Sequence, residues 1–101
     1  MTHLLVQYGV PVDPAAFDRY YRETHVPLAK TIPGLREYTI SDGPVSALTG
    51  PAPHLVALLV FDSADALQAA FASAEGQATA ADLVNFATGG VTMVAYQAKA
   101  V

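Results

Sequence analysis

The stretch Tyr20-Tyr21-Arg22-Glu23-Thr24-His25-Val26-Pro27-Leu28 gathers the side chains of this chain best suited to proton chemistry. An imidazole titrates near neutrality and can take or give a proton at physiological pH. A phenol can donate a hydrogen bond to an oxygen where charge develops, and its ring can stack on an aromatic ligand. Tyr21 and His25 stand at i and i+4, so a helix through them presents both on one face. A helix C-terminus would raise the His25 pKa and burial would lower it. Two readings stay open: an acid–base group, or a cap that donates to the freed carbonyls of the helix end. Tyr21 is the second candidate catalytic residue, and Tyr20, Phe86 and Met93 are candidate ligand contacts. The plainer reading of these aromatic residues and of Met93 is core packing, and Asn85 reads as a capping residue. No carboxylate shares the face of His25, because Glu23 points outward. An Asp–His pair would need Asp42 or Asp82 to be brought in by folding.

Other chemistries lack their residues. Cysteine is absent, which excludes disulfides and thiolate nucleophiles. His3, His25 and His54 have no metal-ligand spacing, so no metal is assigned. There is no GxGxxG, GxxxxGK or GxSxG motif, and no cofactor is expected. Five Lys and Arg stand against nine Asp and Glu, for a net charge of −4, with no basic cluster to hold nucleic acid or an anionic membrane. No apolar run approaches the roughly 20 residues that cross a bilayer. The start, MTHLLVQYGV, lacks a cationic n-region, and the expected location is cytoplasmic.

The length of 101 residues suits one domain, residues 1–101, whose elements must position these side chains. Hydrophobic residues make up 52% and charged residues 14%, enough for a core with apolar surface left over, which implies a homodimer. Alternation in 3–9 predicts a strand with Leu4, Val6 and Tyr8 on one face. Asp13 is a predicted N-cap with Pro14 at the first helical position, and Val12 and Phe17 have the spacing of a hydrophobic staple. Phe17, Tyr20, Tyr21, Thr24, His25 and Leu28 form one stripe, with Asp18–Arg22 and Arg19–Glu23 as exposed i,i+4 pairs. Pro27 predicts a helix end near His25 or Val26. Strands are expected over 35–41, 54–61 and 91–98, with a Gly- and Pro-rich loop at 42–53. A helix from Ala64, capped by Asp62 or Ser63, is expected to break at Gly76 and resume over 77–88. The order β-α-β-β-α-α-β is the ferredoxin-like split βαβ arrangement, an α+β fold with an antiparallel four-stranded sheet. Helices would cover one face, leaving the other, with Leu5, Val56, Leu58 and Val60, for a second sheet.

The segments YYRETHVPL, PGLREY, PHLVALLVFDSADALQAAFASAEGQ and ADLVNF resemble the EthD family over nearly the whole chain. The more specific matches are Tyr21, His25, Pro27 and Leu28, then Pro33-Gly34-Leu35, Phe61-Asp62-Ser63, Ala70-Phe71 and Asn85-Phe86. Position 26 is Val, where methionine is common in the family. The resemblance implies a dimeric α+β barrel joined through its sheets, with a small hydrophobic ligand in a cleft between sheet and helices lined by His25 and Tyr21. It also implies isomerase, cyclase, dehydratase or oxidoreductase activity as candidates, or a carrier associated with an oxygenase.

Overall fold

The computed structural model describes residues 1–101. Its elements are β1 (Thr2–Tyr8), α1 (Pro14–Tyr20), a π-helical turn (Tyr21–His25), α2 (Val26–Ala29), β2 (Glu37–Ile40), β3 (Leu55–Phe61), α3 (Ala64–Ala72), α4 (Ala74–Ala81), a 3₁₀ turn (Asp82–Asn85) and β4 (Val91–Gln97). The strands form one open antiparallel sheet in the order β2-β3-β1-β4, the ferredoxin-like topology expected from the element order.

Alternation along β1 and β3 decides which face is inside. Thr2, Leu4, Val6 and Tyr8, with Leu55, Ala57, Leu59 and Phe61, are buried under the helices, where Phe17, Tyr21, Ala29, Ile32, Ala70 and Phe86 complete the core. The opposite face carries Leu5, Val56, Leu58, Val94 and Tyr96, as the strand registers require. Strand β4 stands apart, with Met93, Val94 and Tyr96 all about half exposed.

Asp13 caps α1, its carboxylate accepting from the Ala16 amide at 3.1 Å, with Pro14 following as expected. The staple does not form, because Val12 is solvent-exposed while Phe17 is buried. The helix also does not end at Pro27. It widens by one residue over Tyr21–His25, where the Val26 amide bonds back to the Tyr21 carbonyl, and then continues to Ala29. In a regular α-helix the Pro27 ring would collide with the Glu23 carbonyl and leave it without a donor. The wide turn accommodates the proline, as inserted π-turns commonly do at functional sites. It also alters the spacing above the first turns. The pairs Asp18–Arg22 and Arg19–Glu23 are not formed, and Asp18 instead accepts from His54 Nε2 at 2.7 Å.

The second helical stretch breaks at Ser73, not at Gly76. Ser73 is extended, and its hydroxyl accepts from the Gly76 amide at 3.0 Å, capping α4 as Ser63 caps α3. Gly76 lies inside α4 for another reason. A Cβ there would sit 2.6 Å from Phe71 Cα, so only glycine allows α4 to fold this tightly against the end of α3. That fold-back carries the chain across to the 3₁₀ turn, and the turn delivers Asp82 to the histidine.

Candidate functional site

His25 is held where helix, turn and sheet meet. Only 4% of it is exposed, its ring packs on Phe86 at 4.6 Å between centroids and on Tyr21 at 5.3 Å, and its Nδ1 lies 2.9 Å from Asp82 Oδ2. The second carboxylate oxygen, Oδ1, accepts from the Tyr20 hydroxyl at 2.6 Å and from the Asn85 amide at 2.9 Å. Asp82 is thus fully engaged while 8% exposed.

Electrostatics assigns the charges. Burial pushes the Asp82 carboxyl upward, but the donors Tyr20, Asn85 and His25 outweigh it and hold the group below the usual carboxylate range. Burial is the largest influence on His25 and pulls its pKa below 6.5, against the opposing pull of Asp82. At neutral pH the pair is an anionic carboxylate beside a neutral imidazole. A carboxylate can only accept, so Nδ1 carries the imidazole proton and Nε2 keeps its lone pair. No protein group hydrogen-bonds Nε2, and no fully sealed polar side-chain atom lacks a partner, so Nε2 is not completely sealed off.

His25 lines a cavity of about 90 Å³ between sheet and helices. Leu4, Val6, Ala57 and Leu59 floor it, Tyr8, Tyr21 and Tyr38 stand along it, and His25 and Thr79 are the polar side chains besides the phenols. The Tyr21 and Tyr38 hydroxyls lie 2.6 Å apart. Burial raises the pKa of Tyr8, Tyr21 and Tyr38, so all three remain protonated at neutral pH. One hydrogen joins Tyr21 to Tyr38, which leaves the other hydroxyl's hydrogen available to a third oxygen. Met93 lines the same cavity but is 48% exposed, which puts the mouth beside the β4 edge. A second, more polar hollow under the 41–54 segment, bordered by Asp18, Arg22, Ser41 and His54, shares Tyr21 as a wall.

Among the residues singled out from sequence, His25, Tyr21 and Met93 come together on this cavity. Tyr20 and Phe86 do not line it. Phe86 is a buried aromatic hub touching Tyr8, Phe17, Tyr20, Tyr21 and His25, and Tyr20 stacks on it and bonds Asp82. His25 does not act as a helix cap, since the helix continues beyond it and its Nδ1 is given to Asp82. Sequence reasoning left the partner of His25 open between Asp42 and Asp82, of which the fold brings in Asp82, read Asn85 as a cap, and did not select Tyr38. The spacing Asp82-x-x-Asn85 within an otherwise apolar run is the local signal for those two, but Tyr38 has none apart from its strand alternation.

The EthD domain model matches residues 10–90. A curated protein of Rhodococcus erythropolis, described as an uncharacterized 11.0 kDa protein in the thcB–thcC intergenic region, is 44% identical over 96 residues, spanning 93% of this chain and 91% of that one. The crystal structure of an ethyl tert-butyl ether D family protein from Bacillus halodurans superposes with a TM-score of 0.88 at 31% identity, covering 98% of this chain and 99% of that one. Two more distant structures, each 19% identical, share the fold. One is a dimeric ferredoxin-like protein from Jannaschia, with a TM-score of 0.73 over 96% of this chain and 98% of that one. The other is SnoaB of Streptomyces nogalater, described as a cofactor-independent oxygenase, with a TM-score of 0.68 over 99% of this chain and 94% of that one.

Proposed function

Since the chain belongs to the EthD family, we propose that its cavity receives a small hydrophobic or aromatic metabolite on which His25 performs proton transfer without a bound cofactor. Nε2 takes a proton from carbon or oxygen of the ligand, and the Tyr21–Tyr38 hydroxyl pair donates to the oxygen on which the resulting charge develops. The reaction is then an isomerisation, cyclisation or dehydration, or an oxidation in which the deprotonated ligand gives its electrons to dioxygen. The observation that carries this reading is the buried Asp82–His25 pair at 2.9 Å, whose histidine lines an apolar cavity. A neutral imidazole oriented by a carboxylate at the wall of an apolar cavity is the arrangement a general base uses. The fold shared with SnoaB can host chemistry carried by side chains alone. In the same reading the apolar outer sheet face pairs two copies of this chain; the fold relative from Jannaschia is described as dimeric.

Deuterium wash-in tests the proposal. The protein is incubated in heavy water with neutral enolisable or phenolic probes such as 1-indanone, cyclohexanone and resorcinol, and the loss of acidic C–H signals is followed by NMR. Catalysed exchange is expected, and His25→Ala abolishes it while the protein remains folded. Exchange that persists in His25→Ala refutes the assignment. Saturable binding without exchange, unchanged in His25→Ala, supports instead a carrier that delivers the ligand to an oxygenase.

A further inference from the structure

Resting on that reading of the site, the geometry points to Tyr20 and Asn85 as positioning residues that clamp Asp82 as an acceptor and thereby fix His25 in the Nδ1–H tautomer, with Nε2 free for the ligand. Neither side chain lines the cavity, so neither touches a bound molecule there. Both act on the far oxygen of the carboxylate, Oδ1, at 2.6 and 2.9 Å, from separate elements: Tyr20 at the end of α1 and Asn85 in the 3₁₀ turn of Asp82 itself.

Asp82 can hold the imidazole proton on Nδ1 only while it is itself unprotonated. If Asp82 were protonated, its hydroxyl could donate to Nδ1, the imidazole proton would move to Nε2, and the base would be lost. Two donors aimed at Oδ1 leave no room for a proton on that oxygen. The remaining oxygen, Oδ2, faces His25. Two donors from different directions also stop the carboxylate from rotating away. An imidazole side chain free in water favours the Nε2–H form, so the opposite tautomer must be imposed by a partner that is itself held in place. The aromatic framework supports this geometry: the Tyr20 ring stacks on Phe86 at 5.5 Å, and Phe86 also packs on the His25 ring. The phenol ring and the imidazole thus both pack on a common hub, with Asp82 bridging their polar ends.

A competing account is purely structural: Asn85 closes its own turn at i+3, and Tyr20 fills space. The two accounts differ in what happens to the imidazole proton. Histidine-labelled protein is studied by long-range ¹H–¹⁵N correlation at neutral pH, with His25→Gln assigning the His25 signals and His3 and His54 serving as internal references. In the wild type, Nδ1 is expected to carry the proton and Nε2 to show the shift of an unprotonated nitrogen. Tyr20→Phe keeps the ring on Phe86 and removes only the hydroxyl. Combined with Asn85→Ala, it is expected to move His25 to a mainly Nε2–H population while the amide spectrum elsewhere stays folded. Tyr20→Phe alone gives a mixture and serves as the test if the double variant does not fold. A variant that retains the wild-type tautomer overturns the clamp and leaves the base assignment intact. A wild-type spectrum with the proton on Nε2 overturns both. In the wash-in assay the same variants should lower the maximal exchange rate with little change in the probe concentration at half-saturation, since ligand contacts are untouched.

Discussion

The chain contains two histidine–aspartate pairs, and they occupy opposite situations. His25 and Asp82 meet at 2.9 Å with side chains 5% and 8% exposed, whereas His54 and Asp18 meet at 2.7 Å with side chains 20% and 52% exposed. Distance would rank the second pair first. Environment reverses the order. Asp82 also holds Tyr20 and Asn85, and its histidine opens on an apolar cavity. Asp18 has solvent for its remaining lone pairs, and His54 packs edge-on against Phe17 at the rim of the polar hollow. The same two residue types make a latch at the surface and a candidate base in the interior.

Breaking each pair should expose this difference. Asp82→Ala leaves the buried His25 N–H without its acceptor and frees the Tyr20 hydroxyl and the Asn85 amide, and the expected loss is roughly 1–3 kcal/mol, the range for a buried donor left unsatisfied. Chemical denaturation measures it, and a loss no larger than that of the surface pair would remove the distinction. Proton linkage gives a smaller effect. The folded-state pKa of His25 lies below its unfolded value of 6.5. Between the two values the unfolded chain binds the extra proton, so stability rises with pH across that window. The melting temperature should therefore be highest above pH 6.5 and fall as pH drops below it, and His25→Gln should lose that step. Asp82, also held below its ordinary range, adds a separate fall under pH 3.8. For the exposed pair, Asp18→Asn should cost at most about 1 kcal/mol and leave deuterium exchange unchanged.

A further comparison concerns the two faces of the sheet. The inner face is filled by the helices, while Val94 and Tyr96 on the outer face remain about half exposed. Val94→Asp should convert a sheet-paired dimer to monomer in size-exclusion chromatography with light scattering, with little change in helical content. A wild-type monomer would contradict the pairing.

Much of the framework was legible from local patterns because the forces behind them are local. Strand alternation placed Leu4, Val6 and Tyr8 inside, and Asp13 and Ser63 announced helix starts through backbone donors three residues on. The inward stripe identified Tyr21 and His25 as neighbours. What was misread depended on competition between local rules. Pro27 looked like a stop, but a π-turn absorbed it at the cost of one widened turn. Gly76 looked like a break, but its bare Cα served close packing, and Ser73 supplied the break through its hydroxyl. The partner of His25 was out of reach because Asp82 lies 57 positions away. Only the fold-back of α4 on α3 brings it in, and no periodicity encodes that distance. Tyr38 joins Tyr21 for the same reason, through the pairing of β2 with β3.

If His25 is a neutral base with a free Nε2, held so by a buried carboxylate, an NMR pH titration of its ring in the wild-type protein shows it. The expected midpoint lies below 6.5, with the neutral form protonated on Nδ1. A midpoint above that value, with a ring still cationic at neutral pH, would contradict it.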